Sequence, residues 1–83
     1  MTTINDLIPR YWDYLETERV LQPASCTGYV SDLRQLARYL RNKPVEAITR
    51  DDLRAYQRHM KEVGKAVGTI RRALHGFSTF WGW

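Results

Sequence analysis

Apolar residues recur every three or four positions in four segments of the chain, which is the spacing of one face of an α-helix. The predicted helices span about 5–18, 23–41, 50–63 and 67–81. No segment alternates apolar and polar residues, as a strand would, for more than three or four positions. The pattern therefore predicts an all-α protein, a compact four-helix bundle with short loops. In the last helix the predicted core stripe is Ile70, Leu74, Phe77 and Trp81, supported by Ala73 and Phe80.

Two helix starts carry a local signal. Thr3 followed by Asp6, and Thr49 followed by Asp52, predict capping boxes, in which each side chain bonds the backbone N–H of the other residue. Pro9 complicates the first helix, because a proline inside a helix removes one backbone hydrogen bond. Both a start a few residues before Pro9 and a start at Pro9 itself remain open at this point.

The other helix ends are marked by residues with restricted or unusual backbones. Pro23 is favoured at the first position of a helix, and residues 42–44, Asn-Lys-Pro, end the second helix. Gly64 is placed to end the third helix in a left-handed conformation.

The composition is that of an ordinary globular domain, with 83 residues of which 43% are hydrophobic and 27% charged. This length holds a single domain, covering residues 1–83. The longest apolar run is too short for a membrane span, and no secretory signal is visible. Cys26 is the only cysteine, and with His59 and His75 it offers too few ligands for a structural zinc site. We expect a cytoplasmic protein without a metal or other cofactor.

The charge is distributed unevenly. The net charge is +4, and ten of the thirteen cationic residues are arginine. Residues 1–32 hold two basic and five acidic side chains, a charge of −3, whereas residues 33–83 hold eleven and four, a charge of +7. Arginine suits planar contacts with phosphate or guanine, so a polyanionic partner is one interpretation. Charge that serves only solubility is the other.

Catalysis has little support in the sequence. There is no glycine-rich phosphate loop and no His-x-x-x-His pair. Asp51 and Asp52 fit a helix cap better than an acid–base pair, and His59 fits the rim of a charged helix. The thiol of Cys26, in the first turn of the second helix, could have its pKa lowered by the helix dipole, but an incidental thiol is the simpler interpretation.

Nucleic-acid binding has more support. Phosphates are held by Arg and Lys, by hydroxyl groups and by helix N-termini. The second helix offers Ser25, Thr27, Arg34, Arg38 and Arg41, and the fourth offers Lys65, Thr69, Arg71, Arg72 and His75. Gly28 and Gly68 are poor helix formers, which indicates either close approach of another backbone or loose helix ends.

Three stretches together resemble a known family. Residues 21–33 read LQPASCTGYVSDL, residues 48–56 read ITRDDLRAY, and residues 69–74 read TIRRAL before an aromatic ending at 77–81. In this order the stretches resemble the N-terminal SAM-like domain of phage integrases, the core-binding domain of tyrosine recombinases. Two residues depart from the family's pattern. Gln22 stands before the second helix where the family usually has a capping Ser, and Ala66 stands at the corresponding position before the fourth helix. Both weaken the N-caps of these helices.

The resemblance implies both a fold and a function. The fold is a SAM-like bundle of orthogonally packed helices that forms half of a clamp around duplex DNA, with the second and fourth helices nearest the grooves. The implied DNA-binding residues are Ser25, Thr27, Arg34, Arg38, Lys65, Thr69, Arg71, Arg72 and His75.

The resemblance also implies partners that lie outside this sequence. They are the catalytic domain of a parent recombinase and other protomers of that enzyme, acting in DNA integration or recombination. This chain itself is expected to have no enzymatic activity, and its aromatic ending at 77–83 predicts a domain cut from a longer protein.

Two alternatives remain beside this interpretation. One is a protein–protein interaction module of the SAM or death-domain type. The other is a helix-turn-helix regulator, which the long connection between the second and third helices argues against.

Overall fold

Four α-helices dominate residues 2–82, the part of the chain that the computed structural model describes. They are α1 (Ile4–Thr17), α2 (Pro23–Tyr39), α3 (Arg50–Glu62) and α4 (Val67–Gly82). A 3₁₀ turn, Val45–Ala47, lies between α2 and α3. Every helix end falls within two residues of its predicted position, so the all-α prediction is confirmed.

The described residues contain no β-strand. The only extended pairing among them is an isolated bridge between Thr3 and Pro44, beside which the Val45 N–H donates to the Thr2 carbonyl at 2.8 Å. The helices form a flattened globule with extents of 34 × 32 × 18 Å and a radius of gyration of 12.3 Å. Every side chain therefore lies close to a broad face of the molecule.

Both predicted capping boxes form. At α1 the Thr3 N–H donates to Asp6 Oδ2 at 2.9 Å, and the Asp6 N–H donates to Thr3 Oγ1 at 3.3 Å. At α3, Thr49 and Asp52 make the same pair of bonds at 2.9 and 3.2 Å. The bond from the Thr49 backbone, with one from Lys43, lowers the pKa of the Asp52 carboxyl below its ordinary value.

Pro9 lies inside α1, which begins at Ile4, so a start at Pro9 is wrong. The capping box fixes the first turn, and the bond that Pro9 cannot donate would have gone to the carbonyl of Asn5. Both residues are exposed, so water can satisfy that carbonyl.

Left-handed residues end α2 and α3. Gly64 has φ of +84°, as predicted, and the Lys65 N–H closes the end of α3 on the Met60 carbonyl at 3.0 Å. At the end of α2 two residues without glycine's freedom, Arg41 and Asn42, have φ of 54° and 58°.

The hydrophobic core draws on all four helices. Its fully buried large side chains are Ile4, Tyr11, Leu15, Leu33, Leu36 and Met60. On α4 the buried residues are Ile70, Ala73, Gly76, Phe77 and Phe80.

The predicted α4 stripe is wrong at its end. Trp81 is 39% exposed, whereas Phe80 is buried and packs edge-on against Tyr11 at 5.1 Å between ring centroids. Ile70 and Phe77 of the predicted stripe are buried, as are the supporting residues Ala73 and Phe80, whereas Leu74 is only half-buried.

No helix in the described part of the chain is long and apolar enough to cross a membrane.

Candidate nucleic-acid interface

The outer face of α2 carries a row of arginines. Arg34, Arg38 and Arg41 are exposed and follow one another at intervals of four and three residues, so they share one face of the helix. Within residues 2–82 none of the three side chains has a hydrogen-bond or ion-pair partner. We call Arg34, Arg38 and Arg41 the α2 ridge.

A groove runs along one side of the α2 ridge, toward α1. It measures about 620 Å³, and Arg34 and Arg38 line it together with Trp12, Thr27 and Ser31. The Thr27 hydroxyl donates to the Pro23 carbonyl at 2.9 Å, which leaves its oxygen free only to accept. Thr27 therefore lies in the same groove as Arg34 and Arg38, but its hydroxyl proton is already used.

A second groove lies on the other side of the ridge. Arg38 lines it with Lys65, and Lys65 Nζ donates to Gln35 Oε1 at 3.0 Å. This bond ties the residue before α4 to α2 and places its ammonium group beside the ridge. The bond between Lys65 and Gln35 could not be predicted from the sequence, because the two residues lie 30 positions apart.

An aromatic cluster forms the wall of this second groove. The His59 ring lies 4.8 Å from the ring of Tyr39 and 5.9 Å from that of Tyr56. Tyr39 is 40% exposed and Tyr56 is buried, so the cluster joins the core to the surface. The predicted position of His59 at the rim of a helix agrees with this placement.

Arg72 on α4 is held by an acid buried in α2. Its Nε donates to Asp32 Oδ2 at 3.0 Å and its Nη2 donates to Asp32 Oδ1 at 2.9 Å. The Asp32 side chain is 5% exposed and that of Arg72 is 48% exposed. This bidentate bond, together with the negative charge of Asp32, raises the pKa of Arg72.

The pairing of Asp32 with Arg72 limits how far either charge is available to a partner. Asp32 contributes to the negative charge of residues 1–32, but it lies inside the molecule and not on an acidic surface. Arg72 is not simply a projecting cation, because only Nη1 is free of Asp32. The sequence did hold a signal, since Asp32 lies four residues before Leu36 and so falls on the apolar stripe of its helix.

The start of α2 and the middle of α4 meet around Arg72. Ser25, Gly28 and Tyr29 line a groove of about 320 Å³ with it. A Cβ added at Gly28 would lie 3.6 Å from Arg72 Nε, so the neighbour of this glycine is a side chain and no backbone. On the other side of Tyr29, the His75 ring lies 6.1 Å away.

The predicted site residues thus form two groups. One group is on and beside the α2 ridge and consists of Thr27, Arg34, Arg38 and Lys65. The other group lies around Tyr29 and consists of Ser25, Arg72 and His75. Arg71 is exposed and Thr69 is half-buried, and within residues 2–82 no side-chain hydrogen bond or ion pair connects either of them with the rest.

The residues weighed for catalysis have other surroundings. Cys26 is buried, and burial raises the pKa of its thiol, so a thiol activated by the helix dipole is wrong. Asp52 is occupied by its capping box and by a 2.9 Å ion pair with Lys43. Among the described residues no three His, Cys, Asp or Glu side chains are grouped to hold a metal ion.

The fold and this surface together define a small all-α domain with arginines exposed on one of its central helices. The family model of the phage integrase N-terminal SAM-like domain matches residues 8–81, and the chain belongs to this family. It is thereby related to tyrosine recombinases, as the N-terminal domain of a family of enzymes. Comparisons with curated proteins and with solved structures give no match.

Proposed function

We propose that this domain binds duplex DNA and serves as the core-binding domain of a tyrosine recombinase. Its partners would be the catalytic domain of the parent enzyme and other protomers, during integration or recombination in the cytoplasm. The observation that carries the proposal is the α2 ridge, whose three exposed arginines have no partner in residues 2–82. A guanidinium group that is not paired with a carboxylate can donate two parallel hydrogen bonds to phosphate oxygens.

The surroundings of the ridge support the same partner. Lys65 adds a cation beside Arg38, and Thr27 adds a hydroxyl oxygen that can accept a hydrogen bond from a base. Around Tyr29, the Nη1 group of Arg72, the hydroxyl of Ser25 and the ring of His75 offer further polar contacts. Thr69 and Arg71 belong to the proposed surface through their place on α4.

A charge-matched pair of variants tests the ridge. Arg34→Gln with Arg38→Gln should weaken binding of a fluorescein-labelled duplex and flatten the slope of log K against log salt by about 1.8, because each lost phosphate contact removes about 0.9. Arg10→Gln with Arg19→Gln on the α1 side removes the same charge from exposed positions. Fluorescence anisotropy at several salt concentrations gives both slopes.

The outcomes separate the candidate functions. Equal slopes in the two double variants would show that only net charge matters and would contradict the ridge as a site. A wild-type domain that ignores duplex DNA even at low salt would favour a protein-interaction module. A strong preference for palindromic sites would favour a helix-turn-helix regulator.

A further inference from the structure

The outer face of α3 carries a second row of cations. Arg50, Arg54, Arg58 and Lys61 are all exposed. At about 100° per residue they fall within an arc of about 80° around the helix. We call these four residues the α3 stripe.

The arginines of the α3 stripe do not help α3 to fold, although Lys61 in the last turn interacts favourably with the helix dipole. Like charges four residues apart repel each other, and the stripe contains two such pairs, Arg50 with Arg54 and Arg54 with Arg58. Arg50 also stands in the first turn of the helix, where a positive charge opposes the helix dipole. The repulsion amounts to about 0.2–0.5 kcal/mol for each pair, and a partner that brings negative charge would relieve it.

The domain itself supplies very little of that negative charge. Within residues 2–82, the side chains of Arg50, Arg58 and Lys61 have no hydrogen-bond or ion-pair partner. Arg54 Nη1 lies 3.9 Å from Asp51 Oδ1, but both side chains are mostly exposed, at 64% and 92%, so water screens this contact.

The α3 stripe faces away from α2. The side of α3 that faces α2 is marked by His59, which packs on Tyr39, and by Asp52, which pairs with Lys43 just after α2. Both lie about 150° around the helix from the centre of the stripe. The α3 stripe is therefore a surface separate from the α2 ridge.

We infer that the α3 stripe is a second surface for duplex DNA, which contacts phosphates without reading bases. This inference rests on the proposed function, that the domain binds DNA. The arc holds no apolar side chain, whereas a protein partner would need an apolar or aromatic centre to its interface. Phosphate binding needs only the cations, and three of the four are arginines.

The test uses Arg54→Gln with Arg58→Gln, which keeps good helix formers in the middle of α3. Salt-dependent anisotropy with a labelled duplex should show a slope flattened by about 1.8, as for two lost phosphate contacts. The control is Arg10→Gln with Arg19→Gln, which should keep the wild-type slope to within the effect of net charge. Circular dichroism confirms that each variant is folded.

Each result has a defined meaning. If the α3 variant and the control give equal slopes, or if polyglutamate binds the α3 stripe more tightly than the duplex does, the inference is overturned. If the wild-type domain binds no duplex at all, the proposed function fails as well. If the Arg34, Arg38 variant loses affinity and the α3 variant does not, the proposed function stands and this inference alone fails.

Discussion

Val20 is the one β-branched residue among the three non-glycine residues with positive φ in residues 2–82. Val20, just after α1, has φ of 51° and a side chain that is 77% exposed. The left-handed region is costly for a β-branched residue, and no core contact of the side chain offsets the cost. The left-handed conformation of Val20 allows the Leu21 N–H to donate to the Leu15 carbonyl at 3.0 Å.

Replacing Val20 with glycine should therefore stabilise the domain. Val20→Gly removes a left-handed strain of about 1–2 kcal/mol, and the greater flexibility of the unfolded chain offsets part of this gain. We therefore expect the free energy of unfolding to rise by about 1 kcal/mol. Urea denaturation followed by circular dichroism measures the change. Val20→Ala keeps a Cβ and should gain less; a gain as large as that of glycine would contradict the backbone explanation.

At this scale the sequence predicts what short-range chemistry determines. Thr3 with Asp6 and Thr49 with Asp52 form their capping boxes because both partners lie three residues apart. Gly64 likewise adopts the conformation for which it is suited. Val20 and Arg41 could not be predicted as left-handed, because neither side chain favours that region and the reason lies in how the chain ends its helix.

Between elements, the pair of Asp32 and Arg72 joins α2 to α4. The two residues are 40 positions apart, and both oxygens of the buried carboxylate receive a bond from the guanidinium. Removing Arg72 would leave the buried carboxylate of Asp32 without a partner, and an unpaired buried charge strongly destabilises the folded state. The pair therefore holds α2 and α4 together by hydrogen bonds, in addition to the apolar contacts between these helices.

Arg72→Ala should destabilise the domain by about 3 kcal/mol, at the lower end for breaking a buried pair because the arginine is half-exposed to water. That is a large share of the stability of a domain this small, about 4–12 kcal/mol. Thermal and urea unfolding measure the loss.

Its neighbour Arg71 provides the control for this measurement. Arg71 is exposed and has no partner within residues 2–82, so Arg71→Ala should change stability by less than about 0.5 kcal/mol. Similar losses in both variants would show that helix propensity, and not the pair, is responsible. Any effect of Arg72→Ala on DNA binding is meaningful only after this correction.

Helix positions were predictable and helix contacts were not. Periodicity is a local property, so the ends of all four helices fall close to their predicted positions. Which residues of α4 are buried depends on contacts between distant parts of the chain, such as the edge-on packing of Phe80 against Tyr11. The periodicity of α4 does not contain that information, so it predicts a core position for Trp81, which is 39% exposed. The exposed arginines of α2 were predicted because they lie opposite its apolar stripe.

Across the whole molecule, the first helix is bonded to the last. The Tyr11 hydroxyl donates to the Gly76 carbonyl at 3.2 Å, and the side chain is fully buried. Burial, with a smaller contribution from Tyr29, raises the pKa of Tyr11 to about 12. In the unfolded chain the same group ionises near 10.

This difference predicts a loss of stability in alkali. A group whose pKa is raised on folding stabilises the folded state fully below the unfolded value, and this contribution is lost as the pH rises from about 10 to 12. Tyr11→Phe should be less stable by about 1 kcal/mol at neutral pH, because it removes the buried hydrogen bond that the Tyr11 hydroxyl donates to the Gly76 carbonyl.

Urea unfolding between pH 9 and 12 provides the measurement. The stability of Tyr11→Phe should fall less steeply over this range than that of the wild type. Some decline should remain, because burial also raises the pKa of Tyr56. Parallel curves for the two proteins would contradict the assignment to Tyr11.

The bond between Asp32 and Arg72 also constrains how this sequence can change over generations. Replacing either residue alone passes through a destabilised protein, whereas replacing both by apolar residues of similar volume can be neutral or better. The two positions should therefore be inherited together or lost together among related sequences. The side chain of Arg71, one residue away, has no ion-pair partner within residues 2–82, so its replacement should not depend on a second position.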